Sequence, residues 1–323
     1  MFCRQASRIA IALLLAGCSG LATTDPDSTP INPTAVVEMH LAREGTGDFP
    51  ARETTTRTYT RANMQRSESI SGGTFARLLG GAAADTRIER LDRKLAWTLD
   101  AKTKRYVECR LKDCAGPNPR KPPQGTSDEA RRDAECRLKI GNSTFSVEPT
   151  GQKRSINGFD TEQYDIRWVA TLKDNAARKS TSTVSIDVWT TPVTPAMKVA
   201  TTLEQAYVRA RDNIFGTKTA SDRLAVLPPE VGKTMSSFLS AHVSPADRAS
   251  FLDGAKKLDR TGGRPILTHV KWTITGEACS TDETMKDVGD KPLFTFMSEV
   301  KAYRLEALHD SLFSPPKEYK INK

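Results

Sequence analysis

The chain has 323 residues, 37% of them hydrophobic and 27% charged, with a formal net charge of +9. Beyond the N-terminus no stretch stays apolar for the roughly 18 residues that mark a spanning helix, which excludes a later helical membrane anchor. The basic residues come in pairs (Arg120 and Lys121, Arg131 and Arg132, Lys153 and Arg154, Lys256 and Lys257) rather than in one run, the pattern of a solvated surface.

In chain order, Arg4 and Arg8 precede the apolar run Ile9 to Ala16 and the small residues Gly17-Cys18-Ser19-Gly20. A charged start, a short apolar core and small residues make residues 1–17 a secretion signal that is removed. Its loss lowers the charge by two, from +9 to +7. Leu15-Ala16-Gly17-Cys18 resembles the lipobox of bacterial lipoproteins, which implies that Cys18 is acylated and becomes the first mature residue. Ser19 after it implies sorting to the outer membrane, with the body expected on the periplasmic side. Residues 18–33 then form the lipidated cysteine and a flexible tether, rich in Asp, Thr, Ser and Pro. The expected partner is the membrane, reached through the acyl chains. An exported compartment makes nucleic acid an improbable partner, so the positive charge favours an anionic lipid or cell-wall polymer.

From Thr34 the apolar residues recur with period two: Val37, Met39 and Leu41; Leu95, Trp97 and Leu99; Tyr164, Ile166 and Trp168; Val184, Ile186 and Val188; Val270, Trp272 and Ile274. This alternation predicts antiparallel strands with one apolar and one wet face. Between Pro195 and Asp259 the spacing changes to three and four, as in Leu203, Tyr207, Ala210 and Ile214, and predicts a helical block over 195–260. The expected fold is α+β: about ten strands in one sheet, with helices on its apolar face, all in a single domain over 34–323.

ECRLK occurs twice, at Glu108–Lys112 and Glu135–Lys139, on either side of a proline-rich insertion at 112–133. The two copies read as arms of one hairpin around that insertion. With Cys3 lost and Cys18 acylated, Cys109, Cys114, Cys136 and Cys279 face an oxidising compartment and are disulfide candidates. Three pairings are open. Joining Cys136 to Cys109 or Cys114 would staple the insertion, with a gain of about 3 kcal/mol. The gaps between the cysteines do not suit a metal site, and none is expected.

No serine sits in Gly-x-Ser-x-Gly, and none of His40, His242, His269 and His309 sits in His-Glu-x-x-His. Glu306 to Asp310 would divide between two faces of a strand. Asp92 and Asp100 flank a tight hairpin as caps. No catalytic residue and no cofactor are expected, and the chain reads as a non-enzyme.

Several segments resemble the LolA and LppX lipoprotein-carrier superfamily and its uncharacterised periplasmic relatives: Arg90 to Asp100 with Lys104-Arg105-Tyr106; the turn Ile156-Asn157-Gly158 leading to Tyr164; and Leu312-Phe313-Ser314-Pro315-Pro316-Lys317-Glu318-Tyr319. The resemblance implies a curved antiparallel sheet, an incomplete barrel, with a helical lid over an apolar concave face that holds acyl chains. Residues placed to line such a cavity are Trp97, Tyr164, Ile166, Trp168, Val184, Ile186, Val188, Val270, Trp272 and Ile274. The alternative is a filled core, in which they pack against the helices and the protein acts as a structural or adaptor lipoprotein through its surface.

Overall fold

A computed structural model describes residues 27–45, 51–71, 83–114, 138–216, 261–278 and 292–322. They form one unclosed sheet of twelve strands, two more than the alternation suggested, and one α-helix. The strands are β1 (Ile31–Gly45), β2 (Arg52–Arg61), β3 (Met64–Ser71), β4 (Ala83–Arg90), β5 (Leu95–Asp100), β6 (Arg105–Arg110), β7 (Lys139–Ile156), β8 (Phe159–Lys173), β9 (Lys179–Thr191), β10 (Arg264–Gly276), β11 (Phe294–His309) and β12 (Lys320–Ile321). Their order in the sheet is β12-β6-β5-β4-β3-β2-β1-β11-β10-β9-β8-β7. All pairs are antiparallel except β12 with β6.

The extra strands are polar. β2 is Arg-Glu-Thr-Thr-Thr-Arg-Thr-Tyr-Thr-Arg and β3 is Met-Gln-Arg-Ser-Glu-Ser-Ile-Ser. β-branched threonine suits a pleated surface, so strand propensity holds where apolar periodicity is silent. Met64, Arg90 and Leu95 are successive partners across β3, β4 and β5, so these short hairpins align in one ladder.

Registered neighbours share a face, and following them across the sheet shows that the apolar side changes over at β1. On one side, Val37 lies beside Tyr303, and Trp168, Val184, Trp272 and Phe294 form a continuous row. That same side of β2 to β5 carries Thr58, Ser67, Arg87 and Thr98. On the opposite side, Val36 is followed by Tyr59, Arg66, Ile88 and Trp97. The expectation of one apolar and one wet face is therefore corrected: the large apolar residues of each half lie on different faces, while the end of α1 also covers Glu89 and Ala96 on the Val37 side of β4 and β5. β1, at the boundary, buries both Val36 and Val37.

The helix α1 (Pro195–Phe215) begins where the sequence signals place it. Thr194 Oγ1 accepts from Met197 N, Pro195 opens the first turn, and Gly216 ends it at φ 67°. Met197, Ala200 and Tyr207 are buried, while Leu203, Ala210 and Ile214 are half-buried. The helix packs across β11, β1 and β2 on the side that holds Val37. The remainder of the expected helical block, 217–260, lies outside the described residues.

The opposite side of β3 to β6 is covered by the C-terminal segment. After β11 the chain makes a 3-10 turn (Asp310–Phe313), and Leu312, Phe313 and Tyr319 pack on Met64, Ile88, Trp97 and Leu99. β12 then adds to the β6 edge. At the far edge, β7 and β8 join through the two-residue turn Asn157-Gly158, both at positive φ (52° and 82°), the geometry of an Asn-Gly hairpin turn. β7 carries Pro149 and two register shifts, devices that blunt an edge strand.

The two ECRLK copies end on opposite edges of the sheet, β6 and β7, and so are not arms of one hairpin. Of the insertion expected at 112–133, Lys112 to Cys114 form a turn after β6; 115–137 lie outside the described residues.

Candidate functional site

Nine of the ten residues placed as ligand-lining come together. Tyr164, Ile166 and Trp168 on β8, Val184, Ile186 and Val188 on β9, and Val270, Trp272 and Ile274 on β10 share one cluster with Phe294 and Phe296 of β11. Ile166 is 0%, Trp272 2% and Trp168 5% exposed. The Trp272 indole N–H donates to Ser182 Oγ at 2.9 Å, so even its polar atom is answered by the neighbouring strand. Trp97 stands apart, in the other half and on the other face, where its N–H donates to Glu108 Oε2 at 2.8 Å. Strand alternation could not separate the two sites, because a period of two says which residues share a face of one strand and nothing about another.

Helix α1 is fixed to the sheet by polar contacts at its middle and along its second half. At the middle, Arg264 stacks 4.1 Å over Tyr303 and reaches Glu204 at 3.1 Å; the Tyr303 hydroxyl donates to Glu204 at 2.8 Å. In the second half, the Tyr207 hydroxyl donates to Glu89 of β4 at 2.5 Å, and Arg211 and Arg87 approach the same carboxylate at 3.3 and 2.8 Å. Burial acts to raise the Glu89 pKa, but the Tyr207 and Arg87 hydrogen bonds and the two guanidinium charges outweigh it and hold the group below its usual range. Burial pushes the Tyr207 and Tyr303 hydroxyls well above theirs, so both remain donors.

At the β1 end of the sheet, Arg61 is buried yet fully answered. Nε donates to Thr34 Oγ1 at 2.8 Å, one terminal nitrogen to Leu308 O at 2.6 Å, and the other pairs with Asp310 while the guanidinium lies 4.6 Å over Phe313. Asn32 donates to Asp310 as well. This junction ties β2, β1, β11 and the 3-10 turn together. The chain ahead of β1 is held here too. Asp27 accepts from Ser311 and Thr29, and these bonds lower its pKa to about 2; beside them His309 Nδ1 donates to Thr29 O at 2.9 Å. No signal in the sequence links Arg61 with Asp310, which stand 249 positions apart.

Among the clefts on the described surface are two that the Trp168 and Trp272 cluster does not line. One, of about 510 Å³, lies at the β5 and β6 edge beside Asp85, Asp100, Lys102, Arg105 and Asn322. The other, about 370 Å³, lies between the β7 and β8 hairpin tip and β10 and β11, beside Arg154, Asn157, His269 and Glu299. There Asn157 donates to Glu299 Oε1 and Val300 O, both at 2.9 Å, and Arg154 lies 3.9 Å over Trp189. Asp100 caps the β5 turn by accepting from Lys102 N and Thr103 N, whereas Asp92 is engaged by Arg90 at 2.6 Å. Glu306 is engaged by Arg304 at 2.6 Å, so with His309 on Thr29 and Asp310 on Arg61 this stretch is spent on structure.

Cys109 and Cys114 are bonded to each other. This corrects the pairing of either with Cys136: the bond closes the turn after β6 and leaves residues 115–133 of the insertion outside the loop. Cys18, Cys136, Cys279 and His242 lie outside the described residues. No protein-family model matches this chain, and no curated protein matches it in sequence.

Proposed function

We propose that this chain is a non-enzymatic lipoprotein of the cell envelope that serves as a structural or adaptor component through its surface, with a sheet core filled by its own side chains. One observation carries the choice between a filled core and a lipid cavity: the near-zero exposure of Ile166, Trp168, Val184, Val188 and Trp272. A void wide enough for an acyl chain is wider than a water molecule, so its walls would be accessible to solvent in the empty protein. These walls are not.

The attachment rests on the Leu15-Ala16-Gly17-Cys18 lipobox, which implies acylation of Cys18 and retention at the periplasmic side of the outer membrane. The helix lying across one face of a large unclosed sheet supports the incomplete barrel with a lid that the LolA and LppX likeness implies. In that architecture the lid is locked rather than gated, because Glu204 and Glu89 hold its middle and its second half.

The test is native mass spectrometry and lipid extraction of protein purified from the envelope. The expected result is one acyl modification at Cys18 and no lipid held by the body. A stoichiometric lipid or other apolar molecule that remains bound to a Cys18→Ala chain would overturn the filled-core reading in favour of a carrier.

A further inference from the structure

We infer that one end of the sheet docks on the bilayer leaflet that holds the acyl chains, through four exposed cations: Arg93, Lys94, Arg110 and Lys112. This rests on the lipoprotein reading and deepens it by naming the surface and its partner, the anionic phosphates of lipid headgroups.

Three successive turns meet at this end. They follow β2 (Ala62 and Asn63), β4 (Leu91 to Lys94) and β6 (Leu111 to Cys114), and backbone hydrogen bonds knit them, Leu91 N to Asn63 O at 2.8 Å and Leu111 N to Lys94 O at 2.9 Å. Leu91 and Leu111 point inward, 6% and 1% exposed, and the disulfide closes the third turn. The four cations are therefore displayed outward from a braced base.

Their charge is little opposed. Of the described carboxylates at this end, Asp92 is engaged by Arg90, Asp310 by Arg61 and Asn32, and Asp27 by Ser311 and Thr29, which leaves Asp113 and Glu108, the latter an acceptor from the Trp97 indole, as local opposing charges to the four cations. Such a cluster is attracted to an anionic surface within about a Debye length, roughly 10 Å.

The chain's path gives the direction. Asp27 is fastened to Ser311 at the same end, beside Arg61 and the start of β1. Cys18 lies nine positions before it, a reach of about 32 Å at full extension. The tether therefore emerges on the side of these turns, and the opposite end, with Lys102 and Lys104 in the β5 and β6 turn, faces away.

The experiment reconstitutes the full acylated chain into phosphatidylcholine vesicles, with and without phosphatidylglycerol, and measures lysine modification by an amine-reactive reagent, residue by residue. With phosphatidylglycerol, Lys94 and Lys112 should lose reactivity severalfold while Lys102 and Lys104 keep theirs, and high salt should restore it. In an Arg93→Gln/Arg110→Gln chain, which keeps both reporter lysines, the protection should fall by at least half. Equal reactivity at all four lysines in both vesicle types, or protection of Lys102 and Lys104 instead, overturns the docking surface. A chain that floats with neither vesicle type refutes the lipid anchor itself, a separate outcome.

Discussion

The two halves of the sheet solve the same burial problem in opposite ways. From β1 through β11, β10, β9 and β8, large apolar residues alternate on the side that carries Val37, and the row runs unbroken from Trp168 to Phe294. From β2 to β6 the strands are short and rich in Thr, Ser and Arg, and their large apolar residues face the other way, onto Leu312, Phe313 and Tyr319, while Ala96 packs beneath Tyr207 of α1. In the first half the described cluster around Trp168 and Trp272 is built from strand residues, and helix α1 adds Met197 and Ala200 beside Val37. The second depends on a segment that arrives from the far end of the chain. A sheet whose buried side changes over cannot present one continuous apolar face to a ligand, and this weighs against a carrier in which Trp97 and Trp168 would line one cavity.

The largest test of that contrast compares Trp272→Ala with Phe313→Ala. Each removes a fully buried aromatic side chain and should cost about 3–5 kcal/mol. Because they serve separate clusters, their effects on the chemical denaturation midpoint should add; strong coupling would mean that the halves form one core. Next comes the junction between the halves. Arg61→Ala removes the cation from a half-exposed Asp310 that still accepts from Asn32 and should cost roughly 2–3 kcal/mol, whereas Arg61→Met, which keeps the packing on Phe313, should cost less. Hydrogen exchange should then show the C-terminal segment opening before β8 to β10.

Smaller effects belong to the helix, which bridges the halves. Tyr207→Phe removes a hydrogen bond to a charged group and should cost about 1.5–3 kcal/mol. The Glu89 pKa is held below its usual 4.5, so this contact contributes stability that is complete above that value and lost as pH falls through the folded-state pKa. Amide exchange in α1 should accelerate on acidification below about pH 4.5 and lose this dependence in Glu89→Gln. The smallest is the disulfide. Cys109→Ser/Cys114→Ser opens a loop of only a few residues and should cost about 2 kcal/mol. Non-reducing peptide mapping should find Cys109 joined to Cys114. It should also find Cys136 joined to Cys279, since Leu138 and Ala278, close to each in sequence, pack in one cluster.

Apolar alternation made β1, β5, β8, β9 and β10 legible, and Thr194-Pro195 announced the helix. β2 and β3 escaped because their strand character lies in threonine, serine and hydrogen-bonded register rather than in apolar periodicity. The exchange of faces escaped because it depends on which strands become neighbours: β11 inserts beside β1 although more than 250 residues separate them. The cysteine pairing was misjudged for a related reason. Closing a long loop constrains the unfolded chain more, but β6 ends in a turn that brings Cys109 and Cys114 to a Cα separation of 5.5 Å, and proximity decided. The apolar cluster on β8 to β10 was legible residue by residue, yet its near-complete burial could not be read from spacing.

The dependence of β2 to β6 on Phe313 sets a schedule for assembly. A chain made from its N-terminus delivers these strands first, and β1 has no β11 beside it until the end. The hydrogen-bonding edges of β1 and β6 and the apolar side of Ile88 and Trp97 thus stay open until residues 294–321 have been made. Early segments have nothing complete to fold into, and the interval before Phe313 seats is when the chain most needs a chaperone.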